Sequence, residues 1–222
     1  MSLAEATSLR LSKRSNGLEL SAEEFDAITK WDPRYSYELV HGVVIVSPIP
    51  AEGEAAPVDE LGYLLMKYQR EHPRGSVLDW TLPERYIPLS DETRRKADRV
   101  IWLGLDHTPD PRHDVPAIAI EFVSKSKRDR QRDYETKRRE YREVGVLEYG
   151  IVDRFRRTMT VSLADGSCRV VAENEVYTTP LMPGFRTAVA IVARCRRPVE
   201  AMMGPLHSKP ATNDVHQTER NV

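Results

Sequence analysis

Hydrophobic and polar positions along the chain fall into short β-prone runs, with segments of helical periodicity set among them. Residues 35–40 and 43–47 are two such runs, and His41-Gly42 between them suits a two-residue hairpin turn. Before them, Ser21-Ala-Glu-Glu24 has the form of a capping box, in which each side chain satisfies a free backbone N–H. It predicts a short first helix to about Trp31. Leu61, Leu64, Leu65 and Tyr68 recur at helical spacing and predict a helix ending near His72-Pro73. Strands are predicted over residues 76–81, 85–89, 98–103 and 117–123. A highly charged helix follows over 127–144, with Gly145 as its C-cap. Strands over 147–152, 158–163 and 168–172 complete the pattern, the last two joined at Asp165-Gly166. Strands in a row and then a helix between strands favour an α/β or α+β sheet covered by helices.

The first sixteen residues show no such pattern, and the last twenty, 203–222, hold scarcely an apolar cluster. Both are expected to be disordered tails around a single domain over residues 17–202. The chain has 222 residues, 40% of them hydrophobic, with 33 basic against 34 acidic side chains and a formal net charge of −1. That balance excludes coating nucleic acid by bulk charge, so any such contact is local. No apolar stretch is long enough for a membrane span and no signal-peptide layout opens the chain, so a soluble, cytoplasmic protein without membrane contact is expected. Cys168 and Cys195 stand far apart without CxxC spacing and read as reduced thiols.

Candidate chemistry begins with Ala117-Ile-Ala-Ile-Glu-Phe-Val123. As a strand it turns Ala117, Ala119, Glu121 and Val123 to one face. A carboxylate desolvated there needs a Lys, an Arg or a metal ion close by. The plainer alternative is a strand-end Glu121 paired with Lys125. Asp98 opens another strand, Asp98-Arg-Val-Ile-Trp-Leu103, and either joins Glu121 in holding a hard divalent cation or pairs with Arg94 or Arg95. In the charged helix, Arg130, Tyr134, Lys137, Tyr141 and Val144 form the most apolar stripe, so Lys137 faces inward. Lys125, Lys127, Arg128 and Arg138 offer positive charge that could hold phosphates, unless acids interleaved on the same helix make it a solvated salt-bridge face. Two carboxylates and a lysine are what metal-assisted phosphodiester hydrolysis requires.

With those residues in place, the order of motifs resembles the Uma-two family of restriction endonucleases, in the PD-(D/E)XK nuclease superfamily. The resemblance spans residues 20–185. It rests on Tyr37-Glu-Leu-Val-His-Gly42 with Ser47-Pro48, Ala97-Asp-Arg-Val100, Glu121-Phe-Val-Ser124, Tyr134-Glu-Thr-Lys137 leading to Tyr141, Gly145-Val-Leu-Glu-Tyr-Gly-Ile-Val-Asp153, and Leu181-Met-Pro-Gly-Phe185. It implies a restriction-endonuclease-like core, a mixed central β-sheet flanked by helices with an N-terminal hairpin. It further implies a Mg²⁺-dependent DNA endonuclease, Mn²⁺ being able to substitute, with Asp98 and Glu121 as metal ligands and Lys137 as the catalytic lysine. Glu38 is implied beside the same site as an extra ligand or water-ordering group. The superfamily's usual lysine position, two residues after the glutamate, holds Val123, and its relocation to the following helix matches this family. Two departures are Ala97, where a proline usually stands, and the absence of a histidine that family members often carry near the place of Gly53 and Glu54.

A second reading keeps the fold as a DNA-binding or interaction module without turnover. A metal site in the loop 106–114, with its two histidines and three aspartates, competes with a plain polar loop. No Walker A loop, dinucleotide fingerprint, GxSxG elbow or HExxH helix occurs, which removes the common NTPase, oxidoreductase, hydrolase and metalloprotease readings. A symmetric homodimer would let one active site per subunit cut both strands of a duplex.

Overall fold

The computed structural model describes residues 3–124 and 131–193, without the side chains of residues 52–54. The chain opens with α1 (Leu3–Ser8), β1 (Arg10–Leu11), a 3-10 turn, α2 (Ala22–Ala27) and β2 (Lys30–Trp31). The hairpin strands β3 (Tyr35–Val40) and β4 (Val43–Pro48) come next, then α3 (Glu52–Glu71), β5 (Leu78–Ser90), β6 (Thr93–Leu103) and β7 (Ile118–Phe122). A π-helical turn (Arg132–Lys137) runs into α4 (Arg138–Glu143). Strands β8 (Glu148–Asp153), β9 (Thr158–Leu163), β10 (Cys168–Ala172), β11 (Val176–Thr178) and β12 (Arg186–Ala188) follow, with α5 (Val189–Val192) last.

One eight-stranded mixed sheet dominates, in the order β10-β9-β8-β7-β6-β3-β4 with β5 also paired to β6. Its pairs are antiparallel except β7 with β8, whose parallel alignment requires a crossover, supplied by the segment that carries α4. At the β3–β4 hairpin His41 and Gly42 both take positive φ, 50° and 76°, the backbone of the favoured two-residue turn. Strand β6 is the organising element. Strand β5 lies along one of its edges, while the other is shared: β3 meets it at Arg94 and β7 at Arg99 to Ile101. Between those contacts β3 and β7 part, and among the described residues, positions 95–98 of β6 have no ladder partner on that side. Regularity lapses at the same level, where Glu84 of β5 holds φ 51° and β6 buries four successive residues from Arg99 to Trp102.

One sheet face packs Ile101, Ile118, Ile120 and Val152 against Leu61, Leu65 and Tyr68 of α3 and Val189 and Val192 of α5. The other packs Val100, Trp102, Ala119 and Ile151 against Tyr141 of α4 and Val146. Gly62 lets α3 settle over Arg99, because a Cβ there would come within 2.4 Å of the guanidinium. A third cluster joins Leu11, Leu20, Phe25, Tyr37, Leu39 and Val44.

The fold class agrees with the sequence reading, but the N-terminus does not. Residues 3–15, expected within a disordered tail, carry α1, β1 and a 3-10 turn, with Ala6 and Leu11 buried. Their order comes from tertiary contact: β1 pairs in parallel with β2, and Leu11 completes the third cluster. The first helix stops at Ala27, short of Trp31, because Ile28 turns extended and the chain enters β2. The expected strands over 76–81 and 85–89 are one strand, β5. Cys168 is an exposed free thiol. The C-terminal tail over 203–222, the domain end at residue 202 and Cys195 lie outside the described residues. Among the described residues no helix is long and apolar enough to cross a membrane.

Candidate active site

The acidic candidates gather where β3 and β7 part along β6. Glu121 of β7 is 3% exposed and shares the sheet face of Ala119 and Val123, beneath α4. The register Arg99↔Ile120, carried one step further, sets Asp98 opposite Glu121. Asp98 Oδ2 accepts the main-chain N–H of Phe122 at 2.7 Å, which ties the carboxylate to the end of the β6–β7 ladder. On the other branch, Glu38 Oε1 accepts the main-chain N–H of Lys96 at 2.8 Å. Side-chain carboxylates thus take backbone donors where the two strands diverge.

Lys137 enters from above. The π-helical turn accommodates an extra residue relative to an α-helix, and it buries Asp133 and Lys137 one turn before Tyr141. Lys137 Nζ donates to Glu121 Oε1 at 2.7 Å and to the carbonyl of Lys96 at 2.8 Å, with Glu38 Oε1 at 3.5 Å. Tyr141 donates its hydroxyl to the same Glu121 oxygen at 3.1 Å. Its ring meets Tyr149 edge-on at 5.2 Å, and the Tyr149 hydroxyl donates to the carbonyl of Asp133 at 3.1 Å. Arg95 lies 3.7 Å from Glu38 and is anchored to Glu140 at 2.8 Å, while Arg132 stands 3.9 Å from Glu38.

Burial alone would depress the Lys137 pKa, but the charges of Glu121, Glu38 and Asp133 outweigh it and hold the ammonium above the ordinary lysine range. Its partner Glu121 shifts upward too: burial, with the charges of Asp98 and Asp133, raises that carboxyl well above its usual value against the pull of Lys137. Burial also works against Glu38, yet Lys137, Arg132 and Arg95 together hold that carboxyl below its usual value. For Asp98 burial wins over the pull of Lys137 and the Phe122 N–H, and its pKa is pushed up to about 6. Asp133 is raised in the same way. The cluster holds more carboxylates than nearby cations can fully stabilise.

Glu38, Asp98, Glu121 and Lys137 therefore lie together around the fork. Asp98 pairs with neither Arg94 nor Arg95, since Arg94 binds Asp26 and Arg95 binds Glu140, while Glu121 takes Lys137. Arg138 is exposed on α4, clear of this cluster, and Lys125, Lys127 and Arg128 lie outside the described residues. Tyr134 is half-buried and donates to Asp153 at 3.3 Å, while the side chains near Gly53 are not described. Asp133, four residues before Lys137, falls on the same stripe by helical counting; it reads from sequence as one of the interleaved acids because it is charged, not because of its spacing. In the loop 106–114, His107 is held between Asp106 and Asp114, and His113 bonds Asp110, a polar loop tied within itself.

Among the described residues no three His, Cys, Asp or Glu side chains are grouped to hold a metal ion. The donor chemistry at Asp98 and Glu121 nonetheless fits a hard divalent cation: two carboxylates on adjacent strands, short of positive charge, are the oxygen ligands such an ion prefers.

A crystal structure of "a putative nuclease belonging to DUF820" from Anabaena variabilis superimposes with a TM-score of 0.63 at 13% identity, covering 78% of this chain and 97% of the other. At that identity the likeness concerns the fold. No curated protein matches. The family model Uma2, described as "Putative restriction endonuclease", matches residues 22–190, which include Glu38, Asp98, Glu121 and Lys137. With most of its folded sheet inside that match, the chain belongs to the Uma2 family.

Proposed function

We propose that the protein is a divalent-metal-dependent nuclease that hydrolyses phosphodiester bonds in DNA. The observation carrying this reading is the ammonium of Lys137, delivered from a helix to within 2.7 Å of Glu121 beside Asp98. Asp98 and Glu121 would hold Mg²⁺ or Mn²⁺. When bound, the ion would neutralise phosphate charge and lower the pKa of a coordinated water. Lys137 stays protonated, so its part is electrostatic: it fixes the orientation of Glu121 and offers positive charge to the reacting phosphate, rather than removing a proton. Tyr141 shares the same Glu121 oxygen and restricts the carboxylate's rotation. Glu38 holds the main chain of Lys96, whose carbonyl in turn positions Lys137.

Cleavage of plasmid DNA in Mg²⁺, Mn²⁺ or EDTA tests the reading. Wild-type protein is expected to nick in either metal and not in EDTA. Glu121→Ala and Lys137→Ala should each slow the reaction on the order of 10²-fold or more, with folding checked by thermal melting. No cleavage in any metal, with metal binding still measurable by calorimetry, would favour a binding module on a nuclease fold.

A further inference from the structure

Next to this site lies a groove of about 480 Å³, unlike the site in chemistry. Its walls hold Phe25, Trp31, Tyr35 and Tyr86 together with Arg85 and Arg112. Trp31 is 54% exposed, although it sits on a strand fixed by pairing with β1. Phe25 packs edge-on against Tyr86 at 5.6 Å, which steadies the Tyr86 ring.

The charges sort themselves in a particular way. Arg94 and Lys96, also in the wall, are neutralised by Asp26 at 3.0 Å and Glu84 at 2.9 Å. Arg112 donates instead to the main-chain oxygen of Asp26 at 2.9 Å. Arg85 donates to the carbonyls of Pro83 and Glu84 at 3.0 and 3.2 Å. Neither guanidinium forms an ion pair with a carboxylate among the described residues, so both keep charge for an outside anion. Flat rings with unpaired guanidinium groups match a base and its phosphates.

The groove and the site share a wall. The side chain of Lys96 lines the groove, while its N–H and carbonyl hold Glu38 and Lys137. Glu84, another lining residue, acts electrostatically on Asp98. A strand of nucleic acid whose phosphate lies at Glu121 and Lys137 would carry a neighbouring base past this opening. A base inside a duplex presents only its edges in the grooves, whereas an unpaired base offers its face.

We propose that this groove stacks the base of an unpaired nucleotide, so that the substrate class is single-stranded DNA or DNA with unpaired residues beside the scissile bond. The assignment of a scissile bond rests on the nuclease reading; the groove's ligand does not. Fluorescence anisotropy in EDTA, where no cleavage occurs, separates the two. The probes are a labelled oligothymidylate, an abasic oligomer of equal length and a blunt duplex. Wild type should bind oligothymidylate more tightly than the abasic strand. Trp31→Ala should raise the oligothymidylate Kd about 5- to 150-fold, the range for one stacked base, and erase the preference over abasic DNA. Its duplex affinity and melting temperature should not change. Arg112→Ala should weaken oligothymidylate and abasic DNA alike. Equal wild-type affinity for those two strands would overturn the proposal, as would equal weakening of duplex and single strand by Trp31→Ala. A stacking preference without cleavage in any metal would leave the groove's ligand established and remove only the nuclease reading.

Discussion

At the scale of single residues, buried charge reads differently according to what surrounds it. Glu121 has an ammonium and a tyrosine hydroxyl. Glu148 of β8, 1% exposed, has only hydroxyl donors, Tyr177 and Thr179, the latter at 2.8 Å. Burial raises the Glu148 pKa, as it does that of Glu121, here against the pull of those two hydrogen bonds and of Arg169. A carboxyl whose folded pKa is raised binds more protons folded than unfolded, so its stabilising contribution is complete below the unfolded value of about 4.5 and falls as pH rises through the folded value. Glu148→Gln is expected to flatten the decline in melting temperature between mildly acidic and neutral pH; a slope equal to wild type would contradict this. Sequence alone revealed Glu121 and Lys137, because an acid in an apolar strand demands a counter-charge and a lysine on an apolar stripe can supply it. Glu148 also stands in an apolar strand, but its partners are hydroxyls that arrive from beyond residue 170, and no nearby basic residue pointed to them.

At the scale of elements, the local signals were dependable where they rest on chemistry within a few residues. The box at Ser21 and Glu24 forms reciprocally, with hydrogen bonds of 2.7 and 3.1 Å. Ser21→Ala should cost about 1 kcal/mol, measurable by urea unfolding, since α2 carries Phe25 into the third core cluster. Strands β9 and β10 and the β3–β4 hairpin were legible from alternation and turn residues. Strand β5 was not legible as one piece, because Pro83 interrupts its pattern. It tolerates Pro83 and Pro88 because it pairs only with β6 and its other edge needs no donor. Strands β1, β2, β11 and β12, of two or three residues each, are too short to show any period. Their partners, not their own sequences, make them strands.

Across the whole molecule, the N-terminal segment and the sheet serve one region. Strand β1 holds β2, β2 carries Trp31, and the groove they border adjoins the fork between β3 and β7. At that fork, the amides of Lys96 and Phe122 are bonded to the carboxylates of Glu38 and Asp98 rather than to another strand's carbonyl. Side chains open by rotating, while ladder bonds open only as the sheet unravels, so these two amides can lose protection without unfolding the molecule. In hydrogen–deuterium exchange, Lys96 and Phe122 should exchange ahead of amides in the β8–β9 ladder, and uniform protection across both would contradict this. Deuterium uptake at two interior backbone positions thus becomes a clock for how long the acidic side chains stay docked, readable without substrate, metal or turnover.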